Sequence, residues 1–374
     1  AAGEVIERPA SLVKELLENS LDAGAQKIVI EIKKAGKKQI KVTDDGCGMT
    51  REDALLSFHR HSTSKISAED DLFNIHSLGF RGEALASIVA VSNTRMMTKT
   101  KDSDAGSLVE IEGGKVLREE RIGIPQGTII EVNDLFFNVP VRKNYMKSDD
   151  VEMGHIISIV TRYALYCNDV AIKLLHDGRE IINAPKTGSL LDNIANIYGI
   201  SIAKDLIDVD YTQDDIKVKG YISRPQLTRS DKTEQNIYVN RRFVRDDIIS
   251  ASVYEAYHTL LFINRHPIYV LDIEAPAASV DVNVHPSKTV IKLKDEKKIE
   301  KIIFDAVRDS FTRNSLIRDV SLEKESSHIP IKKYPFSKDR QSVLEAGSQI
   351  KHQEEYEDHA HEAAHKAAHE DGHE

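Results

Sequence analysis

The stretch "LVKELLENSLDAG", residues 12–24, constrains the fold more than any other part of the chain. At about 100° per residue, its four leucines fall on one half of a helix together with Val13 and Ser20, so this half must pack against another layer. The other half carries the polar residues Glu15, Glu18, Asn19 and Asp22. This polar half is explained either as a solvated face or as a ligand site, because an amide oxygen one turn from a carboxylate suits a hard metal ion or a water.

Composition indicates a multidomain protein of a reducing compartment. The 374 residues exceed what one core usually holds, which predicts two domains and a tail. Cys47 and Cys167 are the only cysteines, so no disulfide framework is expected. Without a signal peptide or an apolar run of about 18 residues, we expect a protein of the cytoplasm and its nucleoid, or of the nucleus in a eukaryote, with no membrane partner. The net charge of −9 argues against attraction of the whole molecule to nucleic acid, but a local basic groove is compatible with it.

Hydrophobic patterning predicts an α+β fold. Strands are expected at residues 27–33 and 39–43, and strands and helices then alternate as far as a helix near 190–198. This order predicts a two-layer α/β sandwich with helices on one face, assigned to residues 1–205. Residues 206–314, with the strands of "DIKVKGYIS" and "NIYVNRRFV" and a closing helix, are assigned to a second α/β domain.

Residues 315–374 have the composition of a linker and a low-complexity acidic tail, predicted to be disordered or helical. Four histidines lie four residues apart in this tail: His361, His365, His369 and His373. On a helix they could gather a metal ion, but a solvated acidic tail explains the same letters.

Glycine-bearing motifs behind the first helix predict a nucleotide site. "DDGCG" follows a strand and places Gly46 and Gly48 beside Asp44, so the turn is tight and the carboxylate can accept a hydrogen bond from an exocyclic amine. "GFRGEAL" enters a helix, where backbone N–H groups form an anion site that suits a phosphate chain. "HSTSK" adds hydroxyls and a cation, and "GT" at residues 127–128 opens a strand.

Together these motifs resemble the MutL family of DNA mismatch-repair ATPases, within the group that includes gyrase, a heat-shock chaperone and sensor histidine kinases. The resemblance is carried by "AAGEVIERPASLVKELLENSLDAGA", "DDGCGM", "HSTSK", "LGFRGEALASI" and "DVNVHPSK", and it covers residues 1–313. It implies a Bergerat-type ATPase domain followed by a domain similar to domain 2 of ribosomal protein S5. The first and fourth motifs resemble MutL more closely than a topoisomerase or a chaperone.

The resemblance also implies roles for individual residues, with ATP and magnesium as cofactors. Glu15 matches the general base that orients water against the γ-phosphate, Asn19 matches a magnesium ligand, and Asp44 matches the carboxylate that reads adenine. Lys288 matches a lysine that the second domain directs at the γ-phosphate, and residues 65–82 resemble a lid that orders when ATP binds. The other matching nucleotide-binding positions are Gly46, Gly48, Thr63, Ser64, Lys65, Gly79, Phe80, Arg81, Gly82, Glu83, Ala84, Leu85 and Thr128.

An ATPase of this family implies DNA and protein partners. ATP binding and slow hydrolysis are expected to close a homodimer around DNA and to coordinate a MutS-type mismatch-recognition protein. The DNA would be held through its phosphates, without sequence preference, in a groove between subunits. Candidate phosphate-binding side chains are Lys143, Arg162, Arg241, Arg242 and Arg245. Basic residues scattered over a mixed surface are an equally good explanation for these five.

Two departures from the family limit the expected activity. The chain starts at Ala1 rather than Met, which suggests a fragment or an incomplete gene model. Segments that family members carry, an N-terminal arm exchanged between subunits and a C-terminal dimerisation domain with a nicking motif, are not found, so we expect poor dimerisation and no nuclease activity. The alternative function is a nucleotide-gated DNA-binding scaffold with negligible turnover in another pathway such as recombination; the presence of Glu15 and Lys288 favours turnover.

Overall fold

The structure is a computed structural model that describes residues 6–59, 84–258, 260–276, 279–281 and 292–317. The elements as far as residue 204 are, in chain order, α1 (Pro9–Asp22), β1 (Lys27–Lys33), a 3₁₀ turn (Lys34–Gly36), β2 (Gln39–Asp44), α2 (Arg51–Leu56), α3 (Ala84–Ala90), β3 (Asn93–Lys99), β4 (Gly106–Glu112), β5 (Lys115–Ile122), β6 (Gly127–Asn133), α4 (Pro140–Tyr145), α5 (Asp149–Tyr166), β7 (Ala171–His176), β8 (Arg179–Ala184), α6 (Leu190–Tyr198) and α7 (Ile200–Lys204). The elements that follow are β9 (Leu206–Gln213), β10 (Ile216–Ser223), β11 (Thr228–Arg229), β12 (Gln235–Val239), β13 (Arg242–Val244), α8 (Asp247–Ala256), β14 (His266–Pro267), β15 (Tyr269–Glu274), β16 (Val280–Asp281), β17 (Lys292–Leu293) and α9 (Glu296–Ile317).

The first sheet has eight strands in the order β5-β4-β3-β6-β2-β1-β7-β8. Its neighbours are antiparallel except for β1 and β7, which run parallel. Strand β1 alternates, so that Ile28, Ile30 and Ile32 are all buried. They share one core with Leu12 and Leu16 of α1, which packs beside α5 and against β2. The predicted sandwich of helices on a sheet is therefore confirmed.

Helix α1 is fixed at both ends. Pro9 occupies its first turn, where the N–H that proline lacks would have no partner inside the helix. At the other end, the Cys47 N–H donates to the carbonyl oxygen of Ala23 over 3.0 Å. The N–H groups of Gln26 and Lys27 donate to Oδ1 of Asp45 over 2.7 and 2.8 Å. The end of α1 is thereby held against the loop that follows β2.

The second sheet has the order β13-β12-β15-β10-β9, and α9 packs on β9 and β10 beside α8. Tyr238 on β12 joins the two sheets, because its ring stacks on Tyr166 of α5 with centroids 4.6 Å apart. Its hydroxyl donates to the carbonyl oxygen of Arg162 over 2.6 Å. An aromatic contact therefore connects the helix layer of the first sheet to the second sheet.

Most predicted elements are confirmed to within a few residues, including β1, β2, α6 and α9. The stretch "NIYVNRRFV" is a hairpin of β12 and β13 rather than one strand, because Asn240 and Arg241 take positive φ values of 47° and 69° in a tight turn. Elements α4, α7, β8 and β9 were not predicted. The predicted lid and the histidine-bearing tail lie outside the described residues. Among the described ranges, no helix is long and apolar enough to cross a membrane.

Candidate functional site

The Asp44 carboxylate lies where three elements meet. Asp44 ends β2 opposite Thr128, at the start of β6. Its Oδ2 accepts a hydrogen bond from the Ser20 hydroxyl of α1 over 2.8 Å, and its Oδ1 accepts one from the Gly46 N–H over 2.9 Å. Burial raises the pKa of Asp44, while the hydrogen bonds from Gly46, Ser20 and the Thr128 backbone act to lower it. The carboxylate is thus oriented by donors from both sides.

The two glycines of "DDGCG" are required by the protein's own packing. A β-carbon on Gly46 would lie 2.8 Å from that of Ala23, at the end of α1. On Gly48, with φ of +69°, it would lie 2.0 Å from the carbonyl oxygen of Lys99. The neighbouring atoms that leave no room for a β-carbon belong to Ala23, directly after α1, and to Lys99 of β3.

Thr98, at the end of β3, was not predicted as part of the site. Its buried hydroxyl accepts from the Met49 N–H over 2.9 Å and lies 3.1 Å from both the Gly127 carbonyl oxygen and the Thr128 hydroxyl. Thr98 therefore fixes the glycine loop to the start of β6. Strand alternation places it on the buried face with Met96, which was the available signal.

The polar half of α1 is not a uniform ligand face. Glu15 and Asn19 lie one turn apart and half-buried, and the Glu15 side chain keeps 23 % of its surface exposed. Glu18 is only 6 % exposed and accepts a hydrogen bond from the Tyr163 hydroxyl of α5. Glu18, although on the polar half of the helix by periodicity, is therefore buried against α5 rather than solvated. Lys14 lies between them, with Nζ 3.7 Å from Oε1 of Glu15 and 3.2 Å from Oε1 of Glu18.

The oxygen-bearing side chains of Glu15 and Asn19 match the ligand preference of magnesium. Among the residues that the structure describes, no three His, Cys, Asp or Glu side chains form a metal-binding group. Magnesium does not need one, because it keeps several waters and takes further oxygens from substrate phosphates. The Asn19 amide, one helical turn from the half-buried Glu15, carries the kind of oxygen ligand that such an ion uses.

The structure describes only some of the remaining nucleotide-binding candidates. Ala84 and Leu85 open α3 and are half-buried, and Leu85 packs against the main core. Thr128 lies beside Asp44, as described above. Thr63, Ser64, Lys65, Gly79, Phe80, Arg81, Gly82, Glu83 and Lys288 lie outside the described residues.

The DNA-binding candidates occupy three different settings. Lys143 is exposed on α4. Arg241, Arg242 and Arg245 are grouped in and directly after the β12–β13 hairpin, where Arg241 and Arg245 are exposed and Arg242 is half-buried. Arg162 is half-buried on α5, with its guanidinium carbon 4.1 Å from the centroid of the Phe243 ring. Arg162 therefore takes part in the junction between the two sheets.

Comparison with known proteins identifies relatives of both parts of the chain. A family model described as "Histidine kinase-, DNA gyrase B-, and HSP90-like ATPase" matches residues 7–134, and one described as "DNA mismatch repair protein, C-terminal domain" matches residues 194–312. The protein "DNA mismatch repair protein MutL" of Streptococcus agalactiae is 43 % identical over 319 residues, which are 85 % of this chain and 49 % of that protein. Its namesake in Geobacter sulfurreducens is 42 % identical over 318 residues, 85 % of this chain and 52 % of that protein. The chain thus spans about half the length of these curated relatives.

Solved structures show the same architecture. The crystal structure of the N-terminal domain of a DNA repair protein superposes with a TM-score of 0.71 at 29 % identity, covering 84 % of this chain and 97 % of that one. The MutL ATPase domain of Aquifex aeolicus complexed with ADP superposes with a TM-score of 0.57 at 26 % identity, covering 80 % and 98 %. That relative was solved with a nucleotide.

Proposed function

Since the chain belongs to the MutL family of DNA mismatch-repair proteins, we propose that it binds ATP with magnesium and hydrolyses it slowly. The nucleotide state would then control its action on DNA during mismatch repair. The ATPase fold of residues 7–134 and the mismatch-repair match of residues 194–312 support this assignment.

The hydrogen bond between Ser20 and Asp44 is the observation that carries the proposal. It ties α1, the helix of Glu15 and Asn19, to the carboxylate assigned to adenine, with 2.8 Å between Ser20 Oγ and Asp44 Oδ2. Asn19 directly precedes Ser20, and Glu15 lies one turn before Asn19. This contact supports the proposal that the groups assigned to the general base, the metal and the purine belong to one nucleotide site, because α1 carries Glu15 and Asn19 and is tied to Asp44 through Ser20.

In the proposed reaction, Glu15 orients a water and accepts its proton as the water oxygen bonds to the γ-phosphorus. The bond from that phosphorus to the oxygen bridging the β-phosphate breaks, and ADP and inorganic phosphate leave. Asn19 would hold magnesium through its amide oxygen, and the ion supplies positive charge against the phosphates when bound. Lys288 is proposed to add a second positive charge, and Asp44 positions the purine.

Glu15→Ala tests the assignment of the base. General-base assistance is worth about 10²- to 10⁴-fold, so phosphate release should fall by at least about 100-fold while a labelled nucleotide still binds. Glu300→Ala, which removes an exposed carboxylate from α9, is the matched control and should hydrolyse normally. Normal turnover in Glu15→Ala would remove Glu15 from the role. If the unmodified protein binds ATP but releases no more phosphate than Glu15→Ala, the ATPase proposal is replaced by the alternative function, a nucleotide-gated DNA-binding scaffold with negligible turnover.

The wider activity of the family is also proposed for this chain. We propose that ATP closes a homodimer around DNA held through its phosphates, and that a MutS-type mismatch-recognition protein is a partner, in the cytoplasm beside the nucleoid. Elution volume on a sizing column, with and without a non-hydrolysable ATP analogue, tests the closure. An earlier elution with the analogue is expected at high protein concentration, because the chain is expected to dimerise poorly. An unchanged volume at every concentration, for a protein that binds the analogue, would contradict the dimer.

We further propose domain boundaries at residues 1–205, 206–314 and 315–374. The second sheet supports the first of these boundaries, because its earliest strand, β9, begins at Leu206, two residues after α7 ends at Lys204.

A further inference from the structure

Asp44, Thr128 and Thr98 form one row across three neighbouring strands of the first sheet. Thr128 on β6 lies opposite Asp44 of β2 on one side and opposite Thr98 of β3 on the other. Residues directly opposite each other in an antiparallel pair project from the same face, with β-carbons about 4.5–5.5 Å apart. The Thr128 side chain therefore lies between the carboxylate assigned to adenine and the Thr98 hydroxyl.

The Thr98 hydroxyl has three hydrogen-bond contacts but only one proton. It accepts from the Met49 N–H over 2.9 Å, and it lies 3.1 Å from the Gly127 carbonyl oxygen and 3.1 Å from the Thr128 hydroxyl. A carbonyl oxygen can only accept, so the Thr98 proton points to Gly127. The Thr128 hydroxyl must then be the donor in the remaining contact, because Thr98 has no second proton.

This direction leaves Thr128 as an acceptor toward any ligand. Its single proton is directed at Thr98, so its oxygen has only lone pairs to offer. Asp44 accepts from Ser20 and Gly46 and, when ionised, has no proton to donate either. The row therefore presents two acceptors side by side. Adenine has an amine with two N–H donors at the position where guanine and hypoxanthine have a carbonyl oxygen.

We propose that Thr98 is a specificity-determining positioning residue: it accepts the Thr128 proton and so leaves Thr128 beside Asp44 as a second acceptor, which favours an adenine nucleotide over one whose base has an oxygen in place of the amine. This inference rests on the proposed function and deepens it, because it concerns which nucleotide the site selects. A carbonyl oxygen facing two acceptors forms no hydrogen bond with either, and such unpaired polar groups are costly.

The glycine loop keeps other attachments when the Thr98 hydroxyl is removed. The Gln126 side-chain amide donates to the Gly46 carbonyl oxygen over 3.1 Å, and the Cys47 N–H donates to Ala23 over 3.0 Å. Thr98→Val replaces the hydroxyl with a methyl group of similar size. We therefore expect this variant to fold, with the Thr128 proton free to turn toward a ligand.

The test is the ratio of the Kd of inosine triphosphate to that of ATP, each measured on the full chain with magnesium by competition against a labelled nucleotide. Inosine triphosphate carries the carbonyl oxygen in place of the amine. The unmodified protein should prefer ATP by at least about 10-fold. Thr98→Val should lower this preference about 3- to 10-fold, because Thr128 can then donate to the oxygen. Thr98→Ser, which keeps the hydroxyl, should retain the preference.

Thr94→Val is the matched control. Thr94 is a buried threonine on the same face of β3, and its hydroxyl contacts that of Ser92 over 2.9 Å, away from the glycine loop. Its preference for ATP should equal that of the unmodified protein. Thr128→Val gives a second measurement that does not disturb the Met49 contact, and it should also lower the preference because it removes the acceptor itself.

Three results overturn the inference. One is an unmodified protein that binds both nucleotides equally well, and another is a Thr98→Val variant that loses affinity for both by the same factor, which would make the hydroxyl only a support for the loop. The third is an unchanged preference in Thr128→Val, which decides the matter if Thr98→Val does not fold. An unmodified protein that binds no ATP would instead overturn the proposed function, so the two failures are distinguishable.

Discussion

Gly48 and Lys99 touch through their backbones: a β-carbon on Gly48 would lie 2.0 Å from the Lys99 carbonyl oxygen. We expect Gly48→Ala to destabilise the protein strongly, because the loop after β2 must move away from β3. Gly178→Ala is the matched control, since Gly178 also has positive φ, +81°, but nothing lies within 4 Å of its added carbon. The control reports the strain of the backbone alone, about 1–2 kcal/mol.

The urea midpoint of unfolding compares the two glycine variants. The shift for Gly48→Ala should be at least twice that for Gly178→Ala, and nucleotide binding should fall only in the former. Equal shifts would show that the loop moves aside freely and that the contact with Lys99 is unimportant.

Ser20→Ala should weaken nucleotide binding without unfolding the protein. The variant loses the hydroxyl that donates to Asp44 over 2.8 Å, which leaves the carboxylate less well oriented and raises its pKa further. A lost hydrogen bond to a charged group is worth about 1.5–3 kcal/mol, so affinity for a labelled nucleotide should fall by roughly 10-fold or more. Ser310→Ala removes another buried hydroxyl, which donates to Ala306 within α9, and should bind normally. Equal nucleotide affinities for the unmodified protein, Ser20→Ala and Ser310→Ala would show that the orientation of Asp44 by Ser20 does not matter for nucleotide binding.

Asp272→Asn should change how stability depends on pH. Burial, followed by the nearby charge of Glu274, raises the pKa of Asp272 from 3.8 to about 6, and its Oδ1 has no hydrogen-bond partner among the described residues. The folded protein therefore retains a proton between these pH values that the unfolded chain has lost, so stability falls as pH rises through this window.

The asparagine variant removes that dependence. At pH 7.5 it should be more stable than the unmodified protein by on the order of 1–2 kcal/mol, and the difference should vanish near pH 4. Urea unfolding at both pH values measures this, with exposed Asp102→Asn as the control. A variant that is less stable at pH 7.5 would show instead that the ionised carboxylate of Asp272 stabilises the fold, as an acceptor for the Tyr166 hydroxyl that lies 3.4 Å from its Oδ2.

Lys143→Ala and Arg162→Ala should have different effects on DNA binding and stability. Removing the exposed Lys143 should lower the slope of DNA affinity against salt by about one without changing thermal stability, if it contacts a phosphate. Removing Arg162 takes away a guanidinium that lies 4.1 Å above Phe243, a contact worth about 0.5–2 kcal/mol, and should lower Tm. Binding measured at several salt concentrations, beside a melting curve, distinguishes them. If Arg162→Ala leaves Tm unchanged but lowers the slope of DNA affinity against salt, Arg162 contacts DNA rather than stabilising the junction between the sheets.

Local pattern was sufficient for much of the fold. The alternation of β1 and the two-sided character of α1 predicted both elements closely, because each follows from spacing within one segment. Strand β9 has equally clear alternation, yet it was not predicted, because the first strand assigned to the second domain was that of "DIKVKGYIS". The short element α4 lacked enough residues to show a period.

The candidate site was less predictable, because its contacts join distant segments. Glu18 lies on the polar half of α1 by periodicity, but its partner Tyr163 is 145 residues away and no local pattern connects them. The glycine spacing after Asp44 predicted a tight turn, but it gave no indication that Gly48 would lie against Lys99. The sequence does not distinguish Arg162 from a surface arginine, because its contact with the Phe243 ring is visible only in the folded structure.

The parallel pairing of β1 with β7 has a consequence for how the protein is made. A parallel partner cannot be reached through a hairpin, and β7 begins at Ala171, well over a hundred residues after β1 ends at Lys33. During synthesis, β1 therefore has no partner on its β7 side until most of the first sheet has emerged. Until then, one row of its N–H and C=O groups can form hydrogen bonds with other chains. Such long-range closure slows folding, and it makes the growing chain most prone to aggregation until α5 and β7 leave the ribosome.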